Sequence, residues 1–86
     1  MNIYVGNLGF KVDEKELEEI FEEYGTVKST KIITDKYTGK SKGFGFIAMD
    51  DTIEAKEAID KLNGTTLDNR EIIVNEARPK KNNFFR

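Results

Sequence analysis

Lys42-Gly43-Phe44-Gly45-Phe46-Ile47-Ala48-Met49 decides which side of this chain's sheet is covered and which is bare. The segment reads as a β-strand, in which successive side chains point to opposite faces. Lys42, Phe44, Phe46 and Ala48 then share one face, and Gly43, Gly45, Ile47 and Met49 share the other. Ile47 and Met49 suit a core, so both phenylalanines fall on the side away from it. A first predicted strand, Ile3 to Asn7, obeys the same parity: with Ile3 and Val5 inward, Tyr4 joins the phenylalanines. Three aromatic rings on an uncovered face are unfavourable unless something covers them.

The flanking segments predict what covers the inward face. Asp13 with Glu16 three residues on has capping-box spacing, with Val12 and Leu17 placed as a hydrophobic staple. Leu17, Ile20, Phe21 and Tyr24 then form one apolar stripe, and Gly25 is expected to end the helix in a left-handed conformation. A second helix repeats this grammar from Asp51 and Glu54 through Ala55, Ala58, Ile59 and Leu62 to Asn63-Gly64. Val27 to Thr34 and Arg70 to Asn75 read as the remaining strands, with a turn-rich loop at residues 35–41. The order is β-α-β-β-α-β. Right-handed crossovers then predict an α+β two-layer sandwich, ferredoxin-like, with both helices on one face of a four-stranded antiparallel sheet.

Composition limits the chemistry. The 86 residues amount to one domain, with 37% hydrophobic and 35% charged residues, the balance of a soluble globular chain. Neither cysteine nor histidine occurs, which removes thiolate chemistry and the commonest general base and metal ligand. No metal or other cofactor is expected, and no enzymatic activity. There is no apolar run of membrane-spanning length and no signal-peptide pattern at the start, so the expectation is a cytoplasmic protein. The formal net charge of −2 is unevenly spread: residues 1–24 carry −5, residues 25–49 carry +4, and residues 78–86 carry +4. What a polyanion meets is the field of the contacting face, not the total.

Unpaired bases are flat and apolar on their faces, and each base–aromatic stack is worth about 1–3 kcal/mol. Lys42 on the ring face, Lys31 on the neighbouring strand and Lys40 in the loop supply charge for phosphates. Gly43 and Gly45 read as keeping the strand slim for close backbone approach. Tyr37 either extends the ring platform or serves as a turn residue. Two bland readings of the rings stand beside this one: a dimer interface, or a helix of the same chain folded over the face.

These residues resemble those of the RNA recognition motif family. Lys42 to Met49 matches the family octamer at seven of eight positions, with Met49 the departure, and Ile3-Tyr4-Val5-Gly6-Asn7-Leu8 matches its hexamer throughout. The likeness covers nearly the whole chain and is similar to short bacterial members with a basic tail. It implies that Tyr4 and Phe46 each stack a base, that Phe44 wedges against riboses and that Lys42 contacts a phosphate. Asn75 and the residues after it would reach base edges, and Asn7, Arg78 and Lys80 join the candidate set. The partner implied is single-stranded RNA, with single-stranded DNA as a variant, bound by a monomer in a post-transcriptional or RNA-chaperone role. The domain is expected to be 1–77, followed by a basic tail, 78–86. Phe84-Phe85 in that tail folds back, adds a stack or stays disordered.

The rivals fail on residues. The octamer also resembles the cold-shock domain, but that all-β fold has no place for two capped helices. Gly43 to Ala48 fits a dinucleotide-binding pattern only in spacing, since its glycines lie inside a strand rather than at a turn into a helix. Gly39-Lys40-Ser41 resembles the end of a phosphate loop, with Thr34 where the first glycine belongs. Adjacent acids such as Glu18-Glu19, Glu22-Glu23 and Asp50-Asp51 lie on or beside solvent-facing helix surfaces and are charge rather than acid–base machinery. An acyl-phosphate hydrolase of the same topology would want an arginine and an asparagine converging on the loop after the first strand; Asn7 is there, but no arginine is expected nearby. A protein-binding module using the same rings remains the alternative function.

Overall fold

Asp13 and Asp51 start the two helices. Each carboxylate accepts the backbone N–H three residues on, Glu16 at 2.8 Å and Glu54 at 3.0 Å, so one orphan donor per helix is satisfied. In the computed structural model, which describes residues 1–77, these caps open α1 (Glu14–Glu22) and α2 (Thr52–Leu62). The strands are β1 (Asn2–Gly6), β2 (Ser29–Thr34), β3 (Ser41–Ala48), β4 (Thr66–Leu67), β5 (Arg70–Glu71) and β6 (Ile73–Glu76).

The main sheet has the order β2-β3-β1-β6, antiparallel throughout. α1 packs on β2 and α2 on β6, which covers one face from edge to edge. Beneath the helices lie Ile3 and Val5 of β1, Ile47 of β3 and Val74 of β6, with Leu17 and Phe21 of α1 and Ala55, Ala58 and Leu62 of α2. Full burial of each large apolar side chain contributes about 1.5–3 kcal/mol. The small alanines let α2 come close to the sheet. Both edges are blunted by helix-side groups: Glu14 Oε2 accepts Ile32 N–H at 3.0 Å, and Asn63 Oδ1 accepts Val74 N–H at 2.9 Å.

Three expectations need correction. The stretch from Arg70 to Asn75 is not one strand. Asp68 and Asn69 both take positive φ, 54° and 65°, which is tight-hairpin geometry that Asp and Asn tolerate. Arg70–Glu71 therefore folds back on Thr66–Leu67 as a separate two-stranded hairpin, and the chain joins β1 only from Ile73. Gly25 is not left-handed: positive φ among glycines is confined to Gly39, Gly43 and Gly64. It is needed because the Glu54 side chain lies where a Cβ would stand, and Glu54 Oε1 accepts Thr26 N–H at 3.3 Å. Finally, β2 opens at Ser29 rather than Val27, and β3 starts and ends one residue early.

Candidate nucleic-acid interface

Strand register aligns four of the expected residues. Lys31 stands opposite Phe46, Phe46 opposite Tyr4, and Tyr4 opposite Asn75. The row therefore crosses β2, β3, β1 and β6 at one level, about 14 Å from edge to edge at the usual strand spacing. All four point away from the helices, because their neighbours Ile3, Val5, Ile32, Ile47 and Val74 are the buried ones.

Phe44 completes a ring cluster. The Tyr4 and Phe46 centroids are 5.9 Å apart at 62°, Tyr4 and Phe44 are 6.1 Å apart at 34°, and Phe44 and Phe46 are 6.2 Å apart at 90°. Such tilted and edge contacts suit ring quadrupoles. Tyr4 and Phe44 are half-buried in this cluster, whereas Phe46 is 37% exposed. Rings splayed by 62° cannot both lie flat on one planar group, so Tyr4 and Phe46 offer two separate stacking surfaces.

The glycines serve the fold, and at Gly45 the close backbone approach expected from the sequence is that of the neighbouring strand. A Cβ on Gly6 would lie 2.5 Å from the Tyr4 hydroxyl and 2.8 Å from its ring, so Gly6 is the floor on which that ring rests. Gly45 is buried, and a side chain there would run into the Lys31 carbonyl of β2. Gly43 takes φ of 89°, near the register shift between β2 and β3, while its carbonyl accepts Leu8 N–H at 2.8 Å.

Lys31, Lys40 and Lys42 are all exposed. Among the described residues the only ion pair is Lys28–Asp50 at 3.9 Å, so none of the three is tied to a carboxylate. The loop carrying Lys40 is closed by Asp35, whose carboxylate accepts the N–H groups of Tyr37 at 2.8 Å and Thr38 at 3.1 Å. These bonds, and then the charge of Lys42, hold the Asp35 carboxyl below its usual range. Tyr37 stands out in solvent with Lys36 Nζ 5.9 Å from its ring centroid, apart from the ring cluster. On the covered side, partial desolvation and then repulsion from Glu18 and Glu19 push Glu22 above its usual range, a sign of crowded negative charge.

Asn7 ends β1 at a φ of 58° and donates its side-chain N–H to the Glu71 carbonyl at 2.7 Å, which ties the β4–β5 hairpin to the sheet. Arg70 lines the same cleft as Asn7, contrary to the sequence expectation, because β5 brings it there from far along the chain. The Asn7 amide is committed to the Glu71 carbonyl, and the Arg70 guanidinium lies 5.7 Å from the Phe10 ring centroid. Sequence reasoning passed over Phe10, which is 68% exposed, and Ile73, 47% exposed beside the ring face. Both sat in segments read only for their breaks and inward residues. Arg78, Lys80 and Phe84-Phe85 lie outside the described residues. No helix among the described residues is long and apolar enough to cross a membrane.

Comparison with known proteins agrees with this geometry. Residues 3–73 match the family described as RNA recognition motif. The chain is 45% identical over 84 residues to the chloroplastic 28 kDa ribonucleoprotein of Nicotiana sylvestris, matching 95% of this chain but only 30% of that one. RbpA of Synechocystis sp., named as an RNA-binding protein, is 43% identical over 82 residues, which is 95% of this chain and 81% of that one. Among solved structures, RNA binding protein PG1 superposes with a TM-score of 0.88 at 46% identity, covering 93% of this chain and 99% of the other. The Sxl-lethal protein in complex with RNA superposes with a TM-score of 0.89 at 31% identity, over 94% of this chain and 48% of that one.

Proposed function

Because the chain belongs to the RNA recognition motif family, we propose that it binds a short run of single-stranded RNA on its uncovered sheet face. The observation that carries this reading is the row Lys31–Phe46–Tyr4–Asn75 with Phe44 beside it, an apolar strip flanked by cation and amide on the side that neither α1 nor α2 covers. Tyr4 and Phe46 each take one base, Phe44 packs on the sugars between them, and Asn75 reads a base edge. Lys31, Lys40 and Lys42 neutralise phosphates, and the basic segment 78–86 beyond domain 1–77, including Arg78 and Lys80, adds further positive charge for the same purpose. Asn7 acts indirectly, by holding the hairpin. The acidic helices repel the rest of the strand and so orient it.

The protein acts as a monomer in the cytoplasm, as an RNA-binding module without catalysis, and single-stranded DNA fits the same stacking chemistry less specifically. The spread of charge supports this reading, as does the absence of histidine and cysteine. NMR titration with a random pool of short RNA oligonucleotides tests it. Shifts at Tyr4, Lys42, Phe44 and Phe46 with both helices silent are expected. Shifts confined to the helices, or a mass that grows with protein concentration while RNA leaves the sheet untouched, would point instead to a protein-docking face.

A further inference from the structure

Phe10 lies off the sheet, in the loop between β1 and α1, and belongs to neither the core nor the ring cluster. Its ring is held rather than loose: the Arg70 guanidinium sits 5.7 Å from the centroid, and its edge is beside Gly43. Three clefts meet at this ring. One, of about 270 Å³, joins it to Tyr4, Phe44, Lys42 and Arg70, and so runs on from the platform without a break. The second, of about 530 Å³, is lined by Phe10, Gly39, Lys40 and Ser41. The third is lined by Lys11 as well as by Asp13 and Glu14, two carboxylates to one cation. A polyanion leaving the platform past Phe44 meets only cations among the charged side chains of the first two clefts and a net negative lining in the third. Its favoured route therefore passes Arg70 and Lys42 and turns toward Lys40.

We infer that Phe10 is an additional stacking station for one nucleotide beyond the sheet, its base lying on the ring against the Lys40 cleft and its phosphate between Arg70 and Lys42. This rests on the RNA-binding reading above and extends it to Phe10 and Arg70, which that reading does not use. An aromatic ring with a cation beside it is the general device for holding a base without sequence preference. Asp68, close to Gly9, is a further acid beside the loop and sets that side against the strand.

Fluorescence anisotropy with random-sequence RNA oligonucleotides, lengthened one nucleotide at a time, separates this site from the platform. Wild-type affinity should rise as the platform fills and then rise once more, by about tenfold, the scale of one base–aromatic stack. Phe10→Ala should match wild type on the short oligonucleotides and lack that last gain, while Phe10→Trp retains it. Equal gains in wild type and Phe10→Ala would overturn the inference. So would a loss of equal size at every length, which would make Phe10 a support of the platform rather than a separate station. If wild type binds no oligonucleotide at any length, the RNA-binding reading itself fails and this inference falls with it.

Discussion

The two faces of the sheet are built from the same strands and share almost nothing else. On the covered face, Ile3, Val5, Ile47 and Val74 are all but inaccessible to solvent and belong to one apolar cluster. On the other, Tyr4, Phe44 and Phe46 pack chiefly against one another, with Lys31 and Asn75 closing the row at either edge. One residue of displacement along a strand separates a side chain that holds the fold from one that is free to hold something else. Stability and binding should therefore be separable by mutation, face by face.

The largest effect expected is on the covered side. Ile47→Ala should cost about 2–4 kcal/mol in urea unfolding, since it opens a cavity among residues that cannot all collapse into it. Its neighbour in the strand should do the opposite. Phe46→Ala should weaken RNA binding by about 1–3 kcal/mol across sequences, while stability falls by no more than about 1.5 kcal/mol, the scale of the lost edge contacts. If Phe46→Ala proves the more destabilising of the two, the faces are not independent and the comparison breaks.

Asp51→Ala sharpens the contrast from the helix side. Losing that cap should cost about 1 kcal/mol of stability and leave RNA affinity unchanged in titrations of the folded protein. Salt reports on the other face: the slope of log K against log salt should be about −2 to −3 for three or four phosphate contacts, and Lys42→Ala should make it shallower by about one.

The smallest effect is one of pH. Asp35 is held below its usual range by the N–H groups of Tyr37 and Thr38 and then by Lys42. A depressed carboxyl contributes stability at pH above its unfolded value and loses it as pH falls through the lower folded value. Protection of the Tyr37 and Thr38 amides, measured against their intrinsic exchange rates at each pH, should accordingly persist as pH falls through the ordinary aspartate range, about 3.9, and be lost only below it. Protection lost already above that range would show that the carboxylate does not close the loop.

Much of this was legible because it is local. Asp13 and Asp51 announce helices by side-chain reach over three residues, and period-two alternation assigns Ile47 and Phe46 to opposite faces before any partner is known. The failures were of two kinds. Asp68-Asn69 is a turn signal of moderate strength inside a β-branched stretch, and the apolar run Ile72-Ile73-Val74 concealed it. Gly25 was read for its conformational freedom, when what required it was Glu54, a residue on the next helix. Phe10 had no local signal at all, since its cation arrives from Arg70 in β5.

By itself the sequence determined which side chains each strand turns toward the core, where the helices begin, and that aromatic rings and lysines share the outward side. Only the tertiary structure decided who stands beside whom: the row from Lys31 to Asn75, the hairpin that carries Arg70 to Phe10, and the glycine floor beneath Tyr4. The reason is the range of the forces. Side-chain parity and capping are settled over a few bonds, whereas lateral order in a sheet is settled by packing segments remote in sequence over one shared core.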